Sequence, residues 1–375
     1  MPKRGKNLIA AIATLTGTII GAGFLGIPHV IAKSGFFIGL MHIIAIGLII
    51  MLINLYLGEV SLRTKGLHQL PGYARKYLGK AGSIMMFFSM IFGVYSALTA
   101  YLIGEGQSLS FFIFGTINYS FILSIGFFIL MAFLVYSGIE TLKKGESIGL
   151  IAVIIMLILI AIFFLPKINL SNITYINKDL TTAFLPYGIV LFSFLAFSSL
   201  PELERELKGN ERLMKKAIII GSLIPIIAYA LFSFVVVGFA GKATPEIATI
   251  ALGKLPSLLA VFTMFTAFFA LSIALYDMYR LDGKLKKIKA FLLTCIVPLI
   301  LFLIIAKYNL ISFVNILEIS GAVSGGVSGI AILLMLLKAK KSGNRKPEYS
   351  MKINWLIAVL LMALFLFGIA YQFLF

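Results

Sequence analysis

Thr16-Gly17-Thr18-Ile19-Ile20-Gly21-Ala22-Gly23-Phe24-Leu25-Gly26-Ile27-Pro28 lies inside the first long apolar run of this chain, residues 7–32. A run of that length can cross a bilayer, which takes about 20 residues of helix. The stretch nevertheless places glycine at positions 17, 21, 23 and 26 and ends on a proline. Glycine tolerates unwound backbone and costs a helix roughly 1 kcal/mol against alanine. The expectation is a spanning helix that is broken partway. An unwound turn frees N–H and C=O groups, which lipid cannot satisfy, so protein, a cavity or a ligand must meet them. The other reading of Gly21, Gly23 and Gly26 is close helix packing through small residues.

A second stretch turns the balance toward a break. Phe192-Ser193-Phe194-Leu195-Ala196-Phe197-Ser198-Ser199-Leu200-Pro201 falls in the sixth apolar run. The runs are approximately 7–32, 35–61, 83–113, 119–137, 147–165, 182–201, 214–240, 256–279, 288–306, 310–337 and 353–374. Eleven spans are therefore expected in one all-α integral membrane domain covering residues 1–375. The two unusual runs stand five apart. Five is odd, so a second set of five enters the membrane from the opposite side. That is an inverted repeat, 7–165 against 182–337, with 353–374 as an extra helix. Interrupted helices at matching places in inverted halves point to the binding site of a transporter.

Composition excludes most other classes. The 375 residues are 61% hydrophobic and 12% charged, more apolar surface than a water-soluble fold of this length buries. Strict alternation, the mark of a membrane barrel, is missing from the runs. The net charge of +18 sits in short clusters between apolar runs, which argues for topology rather than for nucleic acid as partner. With the N-terminus in the cytoplasm, all but six of the 32 Lys and Arg fall on that side; the six are Lys33, Lys167, Lys178, Lys242, Lys254 and Lys307. The positive-inside rule then sets the C-terminus outside a cell membrane. Between runs seven and eight, Pro245–Leu252 reads either as a short helix over the outer mouth or as a plain loop. The lone Cys295 permits no internal disulfide, and His29, His42 and His68 have no metal-ligand spacing.

Five pieces of sequence resemble the amino acid/auxin permease and hydroxy/aromatic amino acid permease families. They are residues 17–28, Gly58-Glu59-Val60, Tyr95 through Gly106, Phe192 through Pro201, and Thr266 through Asp277. The resemblance implies the amino acid–polyamine–organocation (APC) superfamily and a LeuT-type fold. It also implies an amino acid as substrate, a proton or sodium as driving ion, no cofactor and no enzymatic step. Carried over residue by residue, it sets the substrate backbone against Thr18, Gly21, Ala22, Gly23 and Phe24, and against Phe192, Ser193, Phe194 and Ala196. Tyr95 or Tyr101, with Phe194 or Phe197, would shape the side-chain pocket. A sodium ion in such folds sits between carbonyls of helix 1, here Thr16 and Ile19, and hydroxyls of helix 8, here Thr263 and Thr266. Those two threonines share a helix face, but Ala267 follows where a further hydroxyl would complete the set. Their alternative role is bonding back to their own helix.

Protons need a carrier, and carboxylates within spans are expensive in lipid and functional by default. Glu105 and Glu318 qualify. Glu59 and Asp277, nearer the ends of their runs, suit ion pairs with Arg63 or Arg280. The resulting expectation is ion-coupled import of a neutral, aromatic or bulky apolar amino acid. A non-transporting amino-acid sensor of the same fold is the alternative. A membrane enzyme would need a polar cluster at one interface that the sequence does not assemble.

Overall fold

The computed structural model describes residues 3–66, 68–137, 141–177, 179–281 and 284–374; Lys178, counted above, lies outside them. Among these residues the chain is almost wholly helical, and ten helices are long and apolar enough to cross a membrane, or eleven if one bent pair forms a single span.

That bent pair is the stretch read first. Helix α1 (Lys3–Ile19) ends one residue before Ile20, and a 3-10 turn runs from Gly23 to Gly26. Helix α2 (Ile27–Ser34) then restarts with Pro28 in its first turn, where a missing N–H costs nothing. The two parts meet at 43°. Gly35, at φ +109°, reverses the chain into α3 (Phe36–Leu62). A side chain there would meet the Tyr175 carbonyl oxygen at 2.8 Å.

Helix α4 (Leu70–Phe114) carries a kink at Gly79, φ +76°. Its first nine residues therefore form a separate helical arm ahead of the apolar run 83–113. Then come α5 (Ser120–Ser137), α6 (Thr141–Phe164) and the short α7 (Leu170–Thr174).

The sixth span is also interrupted. Helix α8 (Pro186–Phe194) stops, Leu195 is extended, and a 3-10 turn at Phe197–Ser199 leads into α9 (Leu200–Glu206). Pro201 falls in the first turn of α9, where its missing N–H costs nothing, and the Phe197 carbonyl accepts from the Leu200 amide instead. After it come α10 (Met214–Ala240), α11 (Lys254–Leu281) and α12 (Lys287–Tyr308). Between α10 and α11, residues Ala248–Leu252 make a 3-10 turn whose Ala248, Thr249 and Leu252 are buried. The segment is packed into the protein rather than laid over its surface.

The tenth span holds a feature the sequence reading missed. Helix α13 (Phe313–Ser320) passes through a π turn, Gly321–Gly325, into α14 (Gly326–Ser342). Gly321 lies so close to the Gly188 carbonyl of α8 that no side chain fits. Helix α15 (Trp355–Leu374) packs on α14 and is the most outward-facing span.

The core is a set of helices around the two interrupted spans. Large buried side chains such as Tyr56, Tyr229, Phe24, Phe194 and Phe313 fill it, while α5, α6, α12 and α15 present Ile, Leu and Phe outward. Apolar side chains facing outward on long helices are what a lipid environment requires.

Candidate functional site

The two breaks touch. A Cβ on Gly23 would stand 2.7 Å from the Ser193 hydroxyl and 2.8 Å from Phe192 Cδ1. The first span therefore needs glycine at that position for the sixth span to lie against it. The 3-10 turn at Gly23 has Ala22 before it with no side chain capping its free N–H groups. An uncapped turn of this kind carries partial positive charge. Helix α8, which ends at Phe194, packs against this turn.

Tyr229 of α10 ties the breaks together. Its hydroxyl lies 2.6 Å from the Ile19 carbonyl and 3.0 Å from the Ser193 carbonyl, each the acceptor of its single proton. The ring is fully buried, stacked on Phe24 at 5.5 Å between centroids and against Phe194 at 5.0 Å. One side chain thus holds the C-terminal ends of both interrupted helices at a fixed spacing. Sequence reasoning missed Tyr229 because nothing in the apolar run of α10 marks it. The signal available was a tyrosine in a span, whose hydroxyl must find a partner when buried.

Tyr101 closes the other side. Its hydroxyl lies against the Ala22 backbone amide, and a Cβ on Gly21 would meet that hydroxyl at 3.7 Å and Ala267 at 3.8 Å. So Gly21, Ala22, Gly23, Tyr101, Phe192, Ser193 and Phe194 come together, with Ala196 and Phe197 buried in the adjoining turn. Phe24 belongs to the same cluster, but its ring is engaged with Tyr229 and Phe232.

Two expected residues lie elsewhere. Thr18 is exposed, and its hydroxyl bonds back to the Thr14 carbonyl at 2.8 Å. Tyr95 bonds the Tyr279 hydroxyl at 2.6 Å and the Leu293 carbonyl at 3.1 Å. It braces α4 against α11 and α12, leaving Tyr101 as the helix 3 tyrosine at the junction. The reason is helical phase: six residues turn Tyr95 well away from the face of Tyr101.

The four sodium candidates are each engaged. The Thr16 carbonyl accepts the Ile20 amide at 2.8 Å, and the Ile19 carbonyl accepts both the Gly21 amide at 2.7 Å and the Tyr229 hydroxyl. Thr263 donates to the Leu259 and Ala260 carbonyls, and Thr266 to those of Phe262 and Thr263. A cation on the Ile19 carbonyl would have to displace Tyr229.

Glu105 is one helical turn beyond Tyr101 on the same face of α4. It is 1% exposed, and its Oε2 has no hydrogen-bond partner. Ser108, three residues on, is likewise buried and unpartnered. Buried polar groups are normally satisfied, and among the described residues these two on one face of α4 are not. A Cβ on Gly188 of α8 would meet the Glu318 carbonyl oxygen at 2.6 Å, and the Glu318 carboxyl is in electrostatic reach of Lys33 and Glu246. Glu59 pairs with Arg63 at 2.8 Å, as its position suggested, whereas Arg280 sits over the Tyr276 ring.

Comparison with known proteins adds the family. The profile of the tryptophan/tyrosine permease family matches residues 4–372. The chain is similar to glutamine transporter 2 of Aliivibrio fischeri, with 25% identity over 78% of this chain and 80% of that protein. It is also similar to tyrosine-specific transport systems 1 and 2 of Haemophilus influenzae. The first is 25% identical over 60% of this chain and 56% of that protein, the second 29% identical over 57% and 54%.

Proposed function

The chain belongs to the tryptophan/tyrosine permease family, and on that premise we propose that it imports a neutral amino acid, aromatic or bulky and apolar, coupled to an ion gradient. The observation that carries this reading is the contact of two interrupted spans at Gly23 and Ser193. The turn at Gly23–Gly26, whose N–H groups take no bond from the N-cap side chain, suits the substrate carboxylate, and the carbonyl end of α8 suits its ammonium group. Tyr101 approaches from the carboxylate side, and the aromatic rings of the sixth span border the substrate side chain.

The two halves, 7–165 and 182–337, act as a five-plus-five inverted repeat of LeuT type. The first and sixth spans rock against the others, so the site opens to one face and then the other. The N-terminus is cytoplasmic and the C-terminus outside, by the distribution of Lys and Arg. Glu105 is the coupling group favoured by its burial beside Tyr101, which makes the proton the driving ion. The names of the similar transporters support an amino acid as cargo and leave tyrosine and glutamine both to be tried.

Uptake by proteoliposomes is the test. Labelled tyrosine, tryptophan, phenylalanine, leucine and glutamine are offered under an imposed pH or sodium gradient. Accumulation of one class under the pH gradient bears the proposal out. Binding with neither accumulation nor exchange refutes it.

A further inference from the structure

Residues 343–351, which join α14 to α15, are bonded along their length to the face of the bundle where α3 and α9 end. The Asn344 and Arg345 amides both donate to the Arg63 carbonyl, at 3.0 and 3.2 Å. The Asn344 side chain accepts from the Lys65 amide at 2.8 Å and from Lys76 Nζ at 2.9 Å. Tyr349 donates to the Leu55 carbonyl at 2.7 Å, passing over Gly58, where a side chain would collide with its hydroxyl.

The carboxylate of Glu59 gathers the end of this segment. It accepts from the Ser350 hydroxyl at 3.0 Å and the Met351 amide at 2.6 Å. It also pairs with Arg63 at 2.8 Å and Lys340 at 3.1 Å. Its side chain is fully buried. A buried carboxylate with this many charge-assisted bonds is a strong anchor, because losing one partner strands the others.

The contact with α9 is of a different kind. Arg345 reaches Glu204 at 4.0 Å through one guanidinium nitrogen, with the arginine side chain 29% exposed, while another pairs with Glu348 three residues on. Glu204 also accepts from Ser61 of α3 and from Tyr73 of α4, the latter at 3.3 Å. Two residues on, Glu206 accepts from Thr14 of α1 at 2.8 Å. Thr14 and Glu206 thus join α1 to α9 as one unit. Glu204 joins that unit to α3, to the arm of α4 and to the 343–351 segment.

We propose that residues 343–351 form a strap that closes the N-terminal face of the transporter, anchored on Glu59 and latched through Arg345 onto Glu204. The proposal rests on the alternating-access reading, in which α1 and α9 must leave α3 for the site to open to that face. The strong contact is on α3 and the weak one on α9. Opening therefore parts Glu204 from Ser61, Tyr73 and Arg345 together and leaves the strap in place on α3.

Thiol accessibility tests this without substrate. Ser199→Cys puts a near-isosteric reporter at a buried position between the break and α9, and native Cys295 is buried in α12. The reporter is labelled with a membrane-impermeant maleimide from the N-terminal face of inside-out vesicles. Arg345→Ala and, separately, Glu204→Gln are expected to raise the labelling rate roughly three- to fivefold, the scale of a partly exposed ion pair. Lys346→Ala, on the same linker, serves as the control and stays at the starting rate. Unchanged labelling in both latch variants overturns the strap, and so does an equal rise in the control. Uptake in the same vesicles judges the permease reading by itself: uptake with unaltered labelling removes the strap alone.

Discussion

Replacing Tyr229 by phenylalanine keeps the ring stacked on Phe24 and Phe194 and removes one hydroxyl. That hydroxyl serves two carbonyls with one proton. The Ile19 carbonyl keeps the Gly21 amide at 2.7 Å, so the loss falls mainly on Ser193. A buried acceptor deprived of its donor costs about 1–3 kcal/mol. Side-chain hydrogen bonds between helices in bilayers measure lower, about 0.6 to 1.7 kcal/mol. Where the two ranges meet, about 1–1.7 kcal/mol, the equilibrium changes by roughly five- to twentyfold. Because the bond fixes the spacing of the two helix ends, the loss is expected in ligand affinity. The assay is equilibrium binding of the transported amino acid to purified protein, with monodispersity and thermal stability followed alongside. Tyr229→Phe should remain monodisperse and bind roughly five- to twentyfold more weakly. Tyr229→Leu, which also gives up the stacking, should lower stability as well. Affinity of Tyr229→Phe within twofold of the parent would refute the idea that this hydroxyl sets the geometry of the breaks.

Gly321→Ala forces a methyl group onto the Gly188 carbonyl, backbone against backbone; overpacking of that kind costs about 1–3 kcal/mol, read as a lower unfolding temperature in detergent. Tyr95→Phe removes a brace between α4 and α11 and should leave ligand affinity within twofold, because its hydroxyl never reaches the junction; a tenfold loss in binding would return Tyr95 to the site. Glu105→Gln should abolish accumulation driven by a pH gradient while amino-acid exchange across proteoliposomes continues, and retained accumulation would assign coupling elsewhere.

Much of the fold was legible because lipid imposes simple demands. Long apolar runs bounded by basic clusters become helices of membrane length, and the glycines of residues 17–26 lie where α1 gives way to the turn at Gly23–Gly26. Pro201 falls in the first turn of α9, after the extended Leu195. The π turn at Gly321–Gly325 was hidden, since small residues in a span read equally as packing. So was the arm before Gly79, whose short helix carries charges that made it look like loop. In the site, the sequence named residues one by one but could not give their phase. Tyr95 and Tyr101 both fit the resemblance, and only the turn of α4 separates them. Thr18 looked like part of the glycine turn, yet it precedes the break and faces outward. Tyr229 and the Arg345–Glu204 latch are long-range contacts, 210 and 141 residues apart in sequence from their partners Ile19 and Glu204, and no local pattern announces them.

The measurement that bears most directly on the site is binding of the transported amino acid to Gly17→Ala and Gly23→Ala, side by side. Both replace a glycine of the first span by the same methyl group. At Gly17 nothing lies within 4 Å of the added atom, whereas at Gly23 it meets Ser193 and Phe192 below 3 Å. Gly17→Ala should bind as the parent does and fold at least as well, alanine being the better helix former. Gly23→Ala should fold and lose binding, because the two breaks can no longer close on each other. Undiminished affinity in Gly23→Ala would contradict the account and move the substrate away from the junction of the two interrupted spans.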